Sequence, residues 1–226
     1  KSVICIGMGN EGASAGHTAG ILKENTEERI PLAVQMKETA INVQIWKRYH
    51  DIVDISLISP AGVQIGPIPE VIGTQRFVVG DTEILLYYGE PSPFHVSQEI
   101  FIEFLPKDSY ITPGIWQFVL TPRKIVTGEY DLWLPSENVL NRGTAFRYPT
   151  ERGTLTIPST SQRVISVGAY DSLTFAYADF SGRGGLEGES KPDLVAILQR
   201  RHRPEFIRHS PEHRLLHHLF PERRHL

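Results

Sequence analysis

Residues 2–12 read Ser-Val-Ile-Cys-Ile-Gly-Met-Gly-Asn-Glu-Gly. Four consecutive apolar residues that run directly into a glycine-rich turn are typical of a short, fully buried strand followed by a tight loop. The sequence therefore predicts a buried strand over residues 2–6, with the side chain of Cys5 inside it. Cys5 is the single cysteine, so no intrachain disulfide is possible and the redox compartment stays open.

The sequence pattern changes at residues 24–149, where short apolar segments are separated by Pro, Gly, Asn and Asp and show little helical periodicity. Tyr130, Leu132 and Leu134 fall on one face of an extended segment, as in a half-buried strand. Short strands at this spacing favour a sandwich or jelly roll. The predicted strands are 30–36, 41–46, 52–58, 76–79, 83–88, 99–105, 115–120 and 130–134.

The pattern changes again after Pro149. Residues 154–158 and 163–170 predict short strands of a second sheet, and residues 180–184 predict a turn. The last segment, residues 199–226, holds six of the nine histidines and seven arginines against three glutamates. This composition differs from everything before it.

Bulk composition restricts the partners more than the activity. At 226 residues the chain is long enough for one large domain or two small ones. A formal net charge of −3 gives no reason to expect nucleic acid or an anionic membrane as a partner. No stretch approaches the roughly 18 to 20 apolar residues of a membrane span. The chain begins at Lys1, almost within a strand pattern, which predicts a missing N-terminal portion.

Three separated segments carry recognisable motifs. The first is the strand and turn of residues 2–12. The second is residues 157–169, Ile-Pro-Ser-Thr-Ser-Gln-Arg-Val-Ile-Ser-Val-Gly-Ala. The third combines Phe-Ser-Gly-Arg-Gly at 180–184 with Lys-Pro-Asp-Leu-Val-Ala at 191–196. Together and in this order they resemble subtilases, the subtilisin-like serine peptidases, and they cover about a quarter of the chain.

The resemblance implies a role for Asn10. In the family, the Asn of Gly-Asn-x-Gly donates its side-chain amide to the oxyanion of the tetrahedral intermediate. Removing such a donor costs about 2.7 to 4 kcal/mol of transition-state stabilisation, a value that comes from subtilisin itself. Met8 and Gly9 are implied as substrate-pocket residues, with Glu11 near the rim of that pocket. The competing interpretation makes Asn10 an ordinary turn residue that tolerates positive φ.

The catalytic triad of the family is not in this sequence. The nucleophile motif Gly-Thr-Ser-x-Ala is absent, and the Asp and His motifs would precede Lys1. His17 lies in a family-like Gly-His-Thr-Ala-Gly stretch, but it follows Asn10, so the family order predicts a loop or substrate-side residue. We therefore expect a fragment that is inactive alone. Its expected partners are a protein or peptide substrate and the missing remainder of the peptidase domain, without a cofactor or metal.

The predicted fold class is an α/β subtilase core remnant, mostly β in this chain, with an inserted all-β jelly-roll or sandwich domain. The predicted divisions are a core segment at 1–23, the insert at 24–149, a second core segment at 150–196 and a non-family tail at 197–226. An insert at this location resembles the germination peptidases of spore-forming bacteria. It is expected to brace the peptidase domain or to restrict substrate access.

Several alternatives stay open at this point. The tail is interpreted as an out-of-frame translation, with metal binding by His213 and His217 or phosphate binding by its arginines as competing interpretations. The chain could also be an inactive pseudopeptidase. A third possibility is a binding module that presents aromatic side chains such as Tyr87, Tyr88 or Trp133. Localisation stays open.

Overall fold

The computed structural model describes residues 2–93, 95–185 and 191–197. Within these ranges the regular structure is β, apart from one 3₁₀ turn at Glu137–Val139, and no helix is long and apolar enough to cross a membrane. The interpretations of residues 198–226 lie outside the described residues. The strands are β1 (Cys5–Gly7), β2 (His17–Ile21), β3 (Glu28–Val34), β4 (Ile41–Arg48), β5 (Ile52–Ile58), β6 (Gln64–Ile68), β7 (Thr74–Val79), β8 (Thr82–Tyr88), β9 (Ser97–Pro106), β10 (Gly114–Lys124), β11 (Glu129–Trp133), β12 (Ala145–Phe146), β13 (Ile165–Asp171), β14 (Ala176–Tyr177) and β15 (Leu194–Ile197).

Two antiparallel sheets form the larger part of the molecule. One has the order β12-β3-β10-β5-β6, and the other has the order β2-β11-β4-β9-β8-β7. Buried residues from both sheets form a single hydrophobic cluster. The predicted all-β module is therefore confirmed at the level of an all-β fold.

Side-chain alternation explains why these strands share one core. In β4 and β9 every second side chain is buried, and the pairing places Ile45 opposite Ile100 and Val43 opposite Ile102. Because successive side chains in a strand point to opposite faces, this register buries one apolar face of the sheet. The other face stays partly exposed.

Three aromatic side chains occupy the centre of the core. Phe104 of β9 packs edge to face against Trp116 and Phe118 of β10, with ring centroids 5.1 Å and 6.1 Å apart. All three are fully buried, and Trp116 Nε1 donates to the carbonyl of Thr112 at 2.9 Å. These contacts join the two sheets directly.

One buried carboxylate fixes the connection between β10 and β11. Asp51 accepts hydrogen bonds from the N–H groups of Val126, Thr127 and Gly128 at 2.6, 3.2 and 2.8 Å, and from the Thr127 hydroxyl at 3.1 Å. Burial raises the pKa of Asp51 and these hydrogen bonds lower it, leaving the pKa below its usual value. The charge is thus buried with its acceptor capacity filled.

The strand predictions within residues 24–149 hold, with shifted ends at most strands. The predicted strand 52–58 matches β5 at both ends. Five strands of the described structure were not predicted: β2, β6, β12, β14 and β15. The predicted strand at 154–158 is wrong, because the Thr154 hydroxyl bonds the carbonyl of Glu151 and accepts from the N–H of Arg183, which holds this segment as a turn.

A separate, smaller sheet contains the ends of the described chain. β1 and β15 pair with β13 in parallel, and β14 pairs with it antiparallel. The prediction that residues 2–6 are fully buried is wrong: Val3 is 76% exposed, Ile4 is 54% exposed and Cys5 is exposed. A parallel strand becomes buried only when both faces of its sheet are covered, and the described residues do not cover this one.

The predicted domain boundaries stay predictions. β2 pairs with β11 in the six-stranded sheet, although it precedes the predicted boundary after residue 23. β13 and β15 lie in the smaller sheet. β13 falls within the predicted segment 150–196, and β15 ends one residue beyond it, at Ile197. The subtilase core assignment of the outer segments likewise stays a prediction.

The aromatic centre gives a direct test of the fold. We expect Phe104→Ala to lower the free energy of unfolding by about 3–5 kcal/mol, because it removes a fully buried ring that contacts both sheets. Phe175→Ala is the matched control, since Phe175 is 82% exposed and its loss should change stability by no more than about 0.5 kcal/mol. Denaturant unfolding measures both. Equal losses in the two variants would contradict this core.

Candidate active-site turn and cleft

The glycine-rich turn at residues 7–12 is held by two segments that are distant in sequence. The N–H of Met8 donates to the carbonyl of Val167 at 3.2 Å, which extends the pairing of β1 with β13. The N–H of Gly12 donates to the carbonyl of Phe180 at 2.9 Å. All three segments that carry the sequence motifs therefore meet at this turn.

Close backbone approach requires glycine on both sides of the contact. The N–H of Gly182 donates to the carbonyl of Gly9 at 3.2 Å. A Cβ at Gly182 would overlap the carbonyl of Met8, and a Cβ at Gly12 would overlap the carbonyl of Ser181. Gly9 also has φ +87°, a conformation that L side chains rarely adopt. The glycines thus allow the turn and the 180–182 segment to pack against each other.

Ser181 has a structural role in this packing. Its hydroxyl accepts from the N–H of Ala169 at 3.0 Å and donates to the Tyr177 hydroxyl at 3.0 Å, and it is 2% exposed. The Tyr177 hydroxyl in turn donates to the carbonyl of Gly182 at 2.7 Å. This network ties the Phe-Ser-x-x-Gly motif to β13.

Asp193 links the Lys-Pro-Asp motif to the same strand. Its Oδ2 accepts from the hydroxyl and the N–H of Ser166 at 2.6 and 2.7 Å, and from Lys191 Nζ at 3.2 Å. The hydrogen bond from the Ser166 hydroxyl, with help from the Ser166 N–H and from Lys191, lowers the pKa of Asp193 to about 2. The motif thus fixes the segment that leads into β15.

A cleft of about 690 Å³ opens beside the turn. Asn10 and Glu11 line it, and Asn10 is exposed with a side chain that forms no hydrogen bond to the described part of the chain. Its amide is therefore available to a ligand. Within the described residues the lining consists of Asn10, Glu11, Ala13, Glu137, Asn138, Asp179 and Phe180.

The other two predicted site residues lie behind the cleft. Met8 is 2% exposed, and its sulfur lies 3.6 Å from the Tyr177 hydroxyl. Gly9 follows it and packs against the side chain of Thr156. The structure therefore brings together Asn10 and Glu11 at the surface, with Met8 and Gly9 supporting them from inside.

His17 is buried rather than in a loop or on the substrate side, so that prediction is wrong. It begins β2, stacks on the Trp133 indole with ring centroids 3.6 Å apart and is 3% exposed. Its Nε2 lies 2.8 Å from a carboxylate oxygen of Asp131, and its Nδ1 lies 2.8 Å from the carbonyl of Arg152. These contacts join β2 to the segment after Pro149, and His17 does not line the cleft.

The aromatic residues proposed for a binding face have different environments. Tyr88 is buried, and its hydroxyl donates to the carbonyl of Ile68 at 3.2 Å. Trp133 is partly buried against His17. Tyr87 is 38% exposed. The three side chains therefore form no shared exposed surface.

Comparison with solved structures shows a similarity to a protease. No protein-family model matches the sequence, and no curated protein matches it either. The structure is similar to that of the CspB protease of Clostridium perfringens, with a TM-score of 0.79 and 36% sequence identity over 86% of this chain. This chain is related to a protease. The chain spans 40% of the length of that protease. The similarity agrees with the general resemblance of the sequence to subtilase-like peptidases.

Sequence reasoning predicted two of the seven described residues that line the cleft, Asn10 and Glu11. Asp179 and Phe180 adjoin Ser181, so the Phe-Ser-x-x-Gly motif was a usable signal for them. Glu137 and Asn138 lie more than 120 residues after Asn10 in a polar loop with no family motif. The pairing of β2 with β11, together with hydrogen bonds from Ser136 to Glu11 and from Leu134 to Gly16, brings that loop beside the turn.

The contact between Asp193 and Ser166 predicts a measurable pH effect. The folded-state pKa of Asp193, about 2, is below its usual 3.8, so the contact stabilises the folded protein above about pH 4, and this contribution is lost as the pH falls through 2. We expect Ser166→Ala to raise the Asp193 pKa toward 3.8, because it removes the strongest hydrogen bond to the carboxylate. NMR titration of the Asp193 carboxyl carbon measures this. An unchanged pKa in the variant would refute the assignment.

Proposed function

We propose that this chain is part of a subtilisin-like serine endopeptidase in which Asn10 is an oxyanion-hole donor. The observation that supports this most is the convergence of the three motif segments on the turn at residues 7–12, where the Asn10 amide is unpaired within the described residues and faces a cleft. The 36% identity to a protease over most of the chain agrees with it.

The chemistry follows from the position of the amide. When a serine oxygen attacks a peptide carbonyl, negative charge develops on the carbonyl oxygen, and an acyl-enzyme forms as the amine leaves. A fixed N–H donor placed about 2.7–3.1 Å from that oxygen stabilises the transition state more than the ground state. In this proposal Asn10 Nδ2 is that donor, on a turn that backbone hydrogen bonds hold in place.

The serine, histidine and aspartate of the triad belong, in this proposal, to the remainder of the peptidase domain. The smaller sheet fits such a partner, because Leu194, Val195 and Ile197 of β15 are 54–69% exposed. A parallel sheet with apolar residues on both faces is typical of α/β folds, in which helices cover those faces. The α/β core assignment therefore stays part of the proposal.

The sandwich has a supporting role in the same proposal, as an inserted domain between the segments 1–23 and 150–196. It contacts segment 1–23 through the hydrogen bond from the Phe146 N–H to the carbonyl of Ala15. The contact between the buried His17 ring and the carboxylate of Asp131, 2.8 Å long, adds to it. Such contacts fit a module that braces the site.

The Asn10 proposal predicts a large kinetic effect. In the full-length protein of which this chain is proposed to be a part, Asn10→Ala should lower kcat for peptide hydrolysis about 100- to 1000-fold, because the oxyanion loses one donor. KM should change little, since the donor acts mainly in the transition state. Steady-state cleavage of a fluorogenic peptide measures both constants.

Asn42→Ala is the matched control, because Asn42 lies on β4 and outside the cleft lining. It should leave kcat unchanged. A loss of less than threefold in Asn10→Ala, in a protein with unchanged thermal stability, would contradict the proposal. The chain of residues 1–226 alone should show no hydrolysis, since it lacks the triad.

A further inference from the structure

The loop between β11 and β12 supplies a second wall of the cleft. Glu137 and Asn138, in the 3₁₀ turn of this loop, line the same cavity as Asn10. Both residues are exposed. A peptide lying in the cleft against Asn10 would therefore also meet side chains that come from the sandwich.

This wall is fixed to the turn that carries Asn10. The carboxylate of Glu11 accepts from the Ser136 hydroxyl at 2.7 Å and from the Glu137 N–H at 3.5 Å. Because Glu11 directly follows Asn10, one residue couples the position of the wall to that of the amide. A loop anchored in this way presents its side chains at a defined distance from the reacting carbonyl.

Two backbone hydrogen bonds hold the base of the loop. The N–H of Leu134 donates to the carbonyl of Gly16 at 2.8 Å, and the N–H of Phe146 donates to the carbonyl of Ala15 at 3.1 Å. Both ends of the loop are thus attached to the segment just after Glu11.

No positively charged side chain of the described lining neutralises the Glu137 carboxylate. The described lining residues include two further acids, Glu11 and Asp179, but no Lys, Arg or His, and the Glu137 carboxylate forms no hydrogen bond or ion pair to the residues that the structure describes. The Glu11 carboxylate, in contrast, is engaged by the loop. Opposite charges attract across a partly solvated cleft, so Glu137 favours a cationic substrate side chain.

We infer that Glu137 and Asn138 are specificity-determining residues. Glu137 selects peptides with Lys or Arg over Asp or Glu near the scissile bond, and Glu11 is the positioning residue that fixes this wall. The inference rests on the proposed function, because it concerns the same cleft. It adds a substrate class and assigns part of the selection to the sandwich.

A charge series at Glu137 tests the inference in the full-length protein. Two fluorogenic peptides that differ only in one Lys or Glu beside the cleaved bond are compared by kcat/KM. We expect Glu137→Gln to lower the Lys-to-Glu preference about threefold and Glu137→Lys to lower it about tenfold, as one and two units of charge are changed. Asp108→Lys, an exposed charge reversal outside the cleft lining, should leave the preference unchanged.

The role of Glu11 is tested separately. Glu11→Ala removes the acceptor for the Ser136 hydroxyl and should reduce the Lys-to-Glu preference, whereas Glu11→Gln keeps an oxygen acceptor and should restore most of it. Ser136→Ala removes the same hydrogen bond from the other side and should resemble Glu11→Ala. Rescue by glutamine distinguishes positioning from a direct effect of the Glu11 charge.

The outcomes of these tests distinguish failure of this inference from failure of the proposed function. Cleavage of both peptides with a preference that does not respond to Glu137→Lys would overturn the inference and leave the peptidase proposal intact. Failure of the wild-type full-length protein to cleave either peptide would overturn the proposed function and the inference together. A preference that shifts equally in Asp108→Lys would also overturn the inference, since it would reflect overall charge.

Discussion

Backbone hydrogen bonds from the turn at residues 7–12 to strand β13 and to the segment 180–182 position Asn10 in the candidate site. Met8 and Gly12 each donate to a carbonyl of a segment more than 150 residues away, and Gly182 donates back to the turn. Since side chains would block this approach, glycine at both contacting backbones is a geometric requirement. The exposed Asn10 amide owes its place to this packing.

The sandwich and the smaller sheet differ in how much of their apolar surface the described residues bury. The sandwich covers its own core, with Phe104, Trp116 and Phe118 joining the two sheets. In the described structure, apolar residues stay exposed on the segment just before β1 and on β15 of the smaller sheet. A partner that covers this sheet and supplies the triad accounts for both features in one proposal.

Sequence alternation predicted the strands that have one apolar face, such as β5, because burial of alternate side chains leaves a clear period of two. It missed β2, whose His-Thr-Ala-Gly-Ile sequence lacks that period and whose His17 is buried by polar contacts. β6 was missed because Gly66 and Pro67 interrupt it. Burial of Cys5 was predicted wrongly, since an apolar run does not reveal whether a covering layer is present. Asn10 and Glu11 were predicted from motifs, whereas Glu137 depends on long-range strand pairing.

The most direct test is a crystal structure of the full-length protein with a peptide boronate or aldehyde bound as a tetrahedral analogue. The account predicts that Asn10 Nδ2 lies about 2.7–3.1 Å from the oxygen that stands for the oxyanion. A structure in which the Asn10 amide points away from that oxygen, or in which the analogue binds outside this cleft, would contradict it.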